Sequence, residues 1–284
     1  MNDDFSFWKE FKSNRKGVAG LIIVGFFAMM ALLAPLISPY DPNATNPSLF
    51  LAPSSSVHIF GTNTLGQDLF SRDVYGAQIS LIVGIAAGAV AVAIGLVAGL
   101  VSGYMGGLID EIIMRVVDFF IVIPAIVFMI IVAALLGPSL INIIMVIGLL
   151  SWAPTARIIR SMVLSIREWP FVESAKANNA GNTYIMFRHI FPNVTSVLYG
   201  NAMLAISAAI FTQAALVFLG VGNVTSISWG EIIRQAYTTG ALSSGDMLYV
   251  LPPGIFIFVL IFGFILMGYA LEEIMNPRLR TIKG

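Results

Sequence analysis

The feature that most constrains this chain is a series of six long apolar runs, in which Asp118 is the one charged residue. The runs cover residues 17–38, 77–103, 116–137, 140–156, 194–219 and 248–271. A helix needs about 20 apolar residues to cross a bilayer, and each run is close to that length. Because a helix satisfies its own backbone hydrogen bonds in lipid, the pattern predicts an all-α integral membrane protein with six transmembrane helices.

The composition excludes an ordinary soluble domain. Hydrophobic residues make up 58% of the 284 positions and charged residues 11%, whereas charged residues reach about a quarter of a typical soluble domain. The first run is too long for a secretory signal peptide and lacks a small-residue cleavage site, so we expect it to remain as a membrane anchor. The chain has no cysteine, which excludes disulfides and thiolate metal sites.

The distribution of positive charge predicts the orientation of the spans. In a six-span arrangement, all of the 15 Lys and Arg residues except Arg72 and Arg234 fall on one side. Positive residues next to spans stay in the cytoplasm. Both termini and the loop 157–193 are therefore predicted to be cytoplasmic.

The apolar runs also predict how the chain is organised. Residues 1–16 interleave aromatic and cationic side chains, which is typical of an amphipathic helix in the inner membrane interface; a plain extension of the first span, 17–38, is the alternative. The proline-rich residues 39–76 are predicted to be an external loop. Residues 77–271 are predicted to be a five-helix core, which includes the cytoplasmic loop 157–193. Residues 272–284 are predicted to be a cytoplasmic tail.

The predicted spans lack the chemistry of ion-coupled transporters, which place carboxylates or histidines at mid-membrane. Asp118 lies at a predicted membrane edge, and the interior polar side chains are neutral. They include Asn142, Asn201, Thr212 and Gln213. The chain also has no Gly-rich loop ending in Gly-Lys-Ser/Thr that would bind nucleotide phosphates. If transport is active, its energy must come from another polypeptide.

The loop 157–193 contains a polar stretch that predicts a first short helix. Pro170 suits the first turn, where a missing N–H costs nothing, and Glu173 lies near the positive end of the helix. Small residues give this helix a surface that a partner could approach closely. They are Ser174, Ala175, Ala177 and Ala180.

A turn and a second helix are predicted to follow. Asn178 and Asn179 can adopt the left-handed conformation that ends a helix. Asn182 or Thr183 can cap the next helix, and Pro192 marks the entry to the fifth span. The stretch is therefore interpreted as a helix–turn–helix parallel to the membrane, and an interfacial hairpin without a partner is the alternative.

This hairpin resembles the EAA motif of ABC importer permeases, with Glu173, Ser174 and Ala175 as the opening triplet. Asn179 stands where the family usually has glycine, and a glycine is displaced to Gly181. Since Asn tolerates the same backbone turn, we expect the geometry to be kept. The residues predicted to form the ATPase-coupling loop are Glu173, Ser174, Ala175, Ala177, Asn179, Gly181 and Pro192.

The resemblance covers nearly the whole chain. The segments similar to the C-type permease of dipeptide, oligopeptide and nickel importers are 58–77, 104–118, 218–222, 228–230 and 276–280. The resemblance implies a type I ABC importer permease fold in the cell membrane. It also implies a heterodimer with a homologous B-type permease, two ATP-binding subunits and an external substrate-binding protein.

In that scheme ATP and Mg are bound by the partner subunits. This chain would bind no cofactor or metal, would not be catalytic and would have no nucleic-acid partner. Short peptides are the expected substrate, and nickel chelates, glutathione or oligosaccharides are alternatives carried by relatives. A passive channel and a membrane-embedded enzyme are remote alternatives.

Several other residues are predicted to have structural roles. His58 and His189 are expected at the surface or interface, on opposite sides of the membrane. The tryptophans at 152, 169 and 229 are expected in interfacial aromatic belts. Asp110, Glu111 and Arg115 have helical spacing that suits a solvated ion pair, with contact to the ATPase as the alternative.

Overall fold

The computed structural model describes residues 7–222 and 226–275, which are mostly helical. A single antiparallel bridge joins Thr62 and Asp68. The helices are α1 (Phe7–Ser13), α2 (Arg15–Leu32), α3 (Ala34–Ile37), α4 (Leu69–Met105), α5 (Gly107–Val122), α6 (Ala125–Leu136), α7 (Leu140–Leu150), α8 (Ala153–Ile166), α9 (Pro170–Ala177), α10 (Asn182–Ile185), α11 (Phe191–Phe218), α12 (Trp229–Thr238), α13 (Ala241–Ser244) and α14 (Met247–Met275). A 3-10 turn covers Pro47–Leu49, and a π-helical segment, Met186–Ile190, joins α10 to α11.

The described part of the structure has five membrane spans, or six if a bent pair of helices is counted, against the six predicted. Within the described ranges, five helical segments are long and apolar enough to cross a membrane, and a bent pair, α5 and α6, makes up to six. The five segments are Arg15–Leu32, Leu69–Met105, Leu140–Ile166, Asn182–Phe218 and Met247–Met275. This confirms an all-α fold with five or six spans.

The predicted third span, 116–137, is not a straight helix. Its first half belongs to α5, which begins at Gly107, and its second half is α6, turned by 91° at a short break. Pro124 accounts for the break because proline has no N–H and its ring displaces the preceding turn. We call residues 122–125 the elbow.

Other helices extend beyond the apolar runs that predicted them. Helix α4 begins at Leu69, inside the stretch predicted as loop 39–76, because the Asp68 carboxylate caps it by accepting from the Ser71 amide at 2.7 Å. The fourth run, 140–156, continues through α8 to Ile166. The boundaries differ because a capped helix can continue through polar residues, which hydropathy alone does not register.

Helix α4 lies at the centre of the bundle and packs against α7, α8 and α11. Glycines permit these close approaches: a Cβ on Gly99 would lie 2.6 Å from the Ala156 carbonyl, and one on Gly88 would lie 2.9 Å from the Ile206 Cα. In lipid, helices associate through such close packing rather than through the hydrophobic effect. The small residues in α4 therefore determine where α8 and α11 lie.

The N-terminal helices pack on the last span. Phe11 of α1 is buried against Ala270 and Ile274, whereas Trp8 is 64% exposed. Asn14 caps α2 by accepting from the Lys16 and Gly17 amides, both at 3.1 Å. The aromatic and cationic segment is thus helical from Phe7 onward, and its first six residues lie outside the described part.

Residues 38–68 form a folded polar cap on α4 and α12. His58 is 9% exposed, and its Nδ1 lies 2.9 Å from the Asp68 carboxylate. Arg72, in the first turn of α4, is 4% exposed and donates to Gln67 Oε1 at 2.6 Å and to the Pro42 carbonyl at 3.0 Å. The expectation of an interfacial His58 is therefore wrong, because burial here depends on long-range packing of the cap.

Two of the tryptophans are core residues rather than belt residues. Trp229 is fully buried between Phe27 and Phe256, and its Nε1 donates to the Asp73 carbonyl at 2.9 Å. Trp152 is 8% exposed and packs edge-on against Phe120. Their indole rings fill gaps between helices, so the aromatic-belt interpretation is wrong for both.

Candidate functional site

The 170–192 hairpin has a buried inner face. Val172 of α9 and Ile185 of α10 are fully buried, in a cluster with Ile166 at the end of α8 and Leu198 in α11. The Tyr104 hydroxyl, at the end of α4, donates to Asn182 Oδ1 at 3.0 Å. The hairpin therefore rests on the ends of three membrane-spanning segments, and its position depends on theirs.

The outer face of α9 is exposed and carries small and polar side chains together with Phe171, which is 40% exposed. Glu173, Ser174 and Ala177 are exposed, and so is Asn178. Ala175 instead turns inward and packs on the buried cluster, as does Ala180. The predicted small-residue surface is thus narrower than expected, because helical periodicity directs Ala175 to the inner face and Ala180 lies after the turn that ends α9.

The turn after α9 is a complete Schellman motif. Asn179 has a φ of 56°, and its amide donates to the Lys176 carbonyl at 3.0 Å while the Ala180 amide reaches back to the Ala175 carbonyl at 3.1 Å. This is the paired hydrogen bonding that a left-handed residue after a helix permits. Asn179 supplies the conformation for which glycine is usual, whereas Asn178 has an ordinary φ of −86°.

The second helix begins differently from the prediction. Gly181, in extended conformation, is the N-cap, and neither Asn182 nor Thr183 caps the helix. Pro192 lies in the first turn of α11, directly after the π-helical segment. A π-helical turn is one way to accommodate a proline without ending a helix, because it relieves the clash with the preceding turn. The hairpin's second arm and α11 therefore form one continuous helix.

Glu173 has no ion-pair partner among the described residues. Arg167 instead lies 3.8 Å from Glu168 and donates to the Gly103 carbonyl at 3.3 Å, and Arg188 is exposed. The Glu173 carboxylate is thus available at the positive end of α9.

Two ion pairs join α8 to α5. Arg160 donates two hydrogen bonds of 2.6 Å to the Asp110 carboxylate, and Arg157 lies 2.6 Å from Asp118. Glu111 lies 3.7 Å from Arg115, with both side chains exposed. The solvated pair is confirmed for Glu111 and Arg115. Asp110 instead pairs with Arg160 of α8, which lies 50 positions further along the chain. Since α8 leads to the hairpin and α5 leads to the elbow, these pairs connect the two.

A cavity of about 570 Å³ lies beside the elbow, between the α5–α6 break, the start of α8 and the middle of α11. Its walls are mostly apolar, and its polar side chains are Ser151, Thr155 and Asn201. Asn201 is one of the neutral interior groups in the sequence, where no local pattern connects it with a site. Irregular backbone at membrane depth is tolerated where it lines a cavity, so the proline break at 124 was the signal that could have located it.

The sequence of the chain matches two families. Residues 94–281 match the profile of the family described as "Binding-protein-dependent transport system inner membrane component". The chain belongs to this family of inner-membrane transport permeases. Residues 6–53 of the permease also match the "N-terminal TM domain of oligopeptide transport permease C". The longer match includes the hairpin, both ion pairs between α5 and α8, and the cavity.

Relatives align over nearly the whole permease. The dipeptide transport system permease protein DppC of Alkalihalophilus pseudofirmus is 36% identical over 275 residues, covering 96% of this chain and 90% of the relative. The oligopeptide transport system permease protein OppC of Bacillus subtilis is 35% identical over 280 residues, covering 97% of this chain and 91% of the relative. The dipeptide transport system permease protein DppC of Haemophilus influenzae is 34% identical over 281 residues, covering 96% of this chain and 94% of the relative. The resemblance to C-type permeases predicted from the motifs is thus confirmed.

Proposed function

We propose that this permease forms half of the translocation path of an ATP-driven importer of short peptides. The 170–192 hairpin receives force from a separate ATPase. The observation that carries the coupling role is the hairpin's two-sided construction: a buried face on the ends of the spans and an exposed face of small side chains. A displacement of α9 is passed through α8 and its ion pairs to α5.

The peptide substrate is supported by the names of the relatives, which are dipeptide and oligopeptide permeases. The partners follow from the same assignment: a B-type permease to complete the path, two ATPase subunits that bind ATP and Mg, and an external binding protein. In this arrangement the chain itself is not catalytic and binds no cofactor. Both of its termini lie in the cytoplasm.

The orientation is tested with single cysteines, for which the native chain gives no background. We expect Ser55→Cys and Ser243→Cys to react with an impermeant maleimide in intact cells. Asn178→Cys, on the exposed hairpin, should react only after permeabilisation. Reaction of Asn178→Cys in intact cells would place the hairpin outside and remove its access to a cytoplasmic ATPase.

The coupling role is tested in the complete complex with binding protein. Ala177→Trp overfills the exposed surface of α9, so it should abolish ATPase copurification and stimulated ATP hydrolysis. Glu173→Ala should leave insertion intact and reduce stimulated hydrolysis, because it removes a charge available to a partner. Ala44→Trp, on the exposed part of the polar cap, is the matched control. Full assembly and hydrolysis by both hairpin variants would show that force enters elsewhere.

The substrate is tested by uptake into proteoliposomes that contain the whole importer. Labelled peptides of two to five residues should accumulate with ATP and remain insensitive to a protonophore. Nickel chelates, glutathione and oligosaccharides should neither accumulate nor compete. If the labelled peptide reached equal concentrations on both sides of the membrane without ATP, the chain would be a passive channel. Cleavage of the peptide by the complex would indicate an enzyme.

A further inference from the structure

The cavity beside the elbow has the composition of a site for a neutral, hydrogen-bonding ligand. None of its 15 lining residues is charged, and its volume of about 570 Å³ falls within the range of small-molecule sites, about 300–1,000 Å³. Leu204, Ala205 and Ala208 of α11 form one apolar wall. A site of this kind does not select for charge, but its few polar groups can orient a ligand.

The polar groups on the α8 and α11 sides form a pair. The Thr155 hydroxyl, 2% exposed, donates to Asn201 Oδ1 at 2.8 Å. This bond orients the Asn201 amide so that Nδ2 remains as a donor, and Nδ2 donates to no other residue in 7–222 or 226–275. An amide donor in an apolar wall is a strong determinant of ligand choice, because leaving it unsatisfied when water is displaced is costly.

The break between α5 and α6 leaves backbone acceptors among the residues that line the cavity. Pro124 has no N–H to donate to the Phe120 carbonyl, and no hydrogen bond reaches the Ile123 carbonyl from the described residues. Both residues line the cavity. The residues that line the cavity therefore include a side-chain donor on α11 and, at Phe120 and Ile123, two main-chain acceptors beside the break.

We propose that this cavity binds the extended main chain of a peptide in transit, which rests on the proposed peptide-import function. Asn201 Nδ2 donates to a peptide carbonyl, and the elbow carbonyls accept from peptide N–H groups. A main chain supplies both kinds of group whatever its side chains are, and the apolar walls accommodate varied side chains. Thr155 acts as a positioning residue because it orients Asn201 and does not itself contact the peptide.

The first test is uptake of a labelled tripeptide by the reconstituted importer. We expect Asn201→Leu to lower uptake about tenfold, the factor that one hydrogen bond of typical net strength contributes. Binding-protein-stimulated ATP hydrolysis should persist, since the hairpin is unchanged. Thr155→Val should lower uptake less, because Asn201 keeps its donor but loses its orientation. Asn193→Leu, an exposed position on the same helix, is the matched control and should transport at the wild-type rate.

The second test does not depend on how well those variants fold. In an otherwise native chain, Ala205→Cys places a thiol in the cavity wall, and alkylation of that thiol should slow when the tripeptide is supplied with binding protein and ATP. Alkylation of Ala44→Cys should be unaffected. Wild-type uptake by Asn201→Leu, or unchanged alkylation of Ala205→Cys during active uptake, would overturn the proposal. If the wild-type importer carries sugars or chelates and no peptide, the proposed function itself fails.

Discussion

The polar cap and the hairpin are both polar segments outside the apolar spans, yet they are built in opposite ways. In the cap, charged and amide side chains are buried and paired: Gln67 accepts from Arg72 of α4, and His58 lies against the Asp68 carboxylate. In the hairpin, Glu173 and Arg188 are exposed, and burial is left to apolar residues on the inner face.

This difference separates a segment that fixes the fold from one that meets a partner. Buried polar networks are costly to break, since each lost partner leaves another group unsatisfied. An exposed surface of small side chains can be contacted without first breaking such bonds. We therefore expect substitutions in the cap to affect stability first, and substitutions in the hairpin to affect coupling first.

The largest expected effect is at Arg72. Arg72→Ala, in the first turn of α4, removes the charged donor to Gln67 and Pro42 of the cap, and each hydrogen bond made by a charged group contributes about 1.5–3 kcal/mol. The matched Arg188→Ala in the hairpin should change the free energy of unfolding by less than about 0.5 kcal/mol. Thermal unfolding of the detergent-solubilised complex measures both. Equal effects would remove the distinction between the two segments.

A smaller effect is expected from the two histidines. His58→Ala leaves the buried Asp68 carboxylate without one of its partners, which costs about 1–3 kcal/mol. The His189 ring lies beside the rings of Phe171 and Tyr184 and no ion pair holds it among the described residues, so His189→Ala should cost up to about 1 kcal/mol. The comparison requires His58→Ala to lower the melting temperature more, and the reverse order would contradict it.

The smallest effect tests the turn within the hairpin. Asn179→Ala places a Cβ residue without a compensating side chain at a φ of 56°, which should cost about 1 kcal/mol. Asn179→Gly should be neutral, because glycine adopts this conformation freely. Melting temperature and stimulated ATP hydrolysis should both rank glycine equal to asparagine and above alanine. Identical behaviour of all three would show that the Schellman turn does not stabilise the hairpin.

Features that depend on a short window of residues were predictable from the sequence. The hydrophobic runs predicted the all-α membrane fold and, to within the bent third span, the set of spans, since crossing a bilayer is a requirement on local length and polarity. Pro170 and Asn179 predicted the start of α9 and the left-handed turn after it, because both act through their own backbone conformation. The asymmetry of Lys and Arg likewise predicts an orientation before any packing is known.

Only the tertiary structure decided which polar residues meet. Thr155 and Asn201 lie 46 positions apart and Arg160 and Asp110 lie 50 apart, so no local pattern pairs them. The same holds for His58 and Trp229, whose burial depends on segments packed over them from elsewhere in the chain. Pro124 predicts a break in the helix. The 91° angle of that break and the cavity beside it depend on how α5, α8 and α11 pack. Local chemistry determines which elements form, whereas contacts between distant elements determine which side chains are buried together.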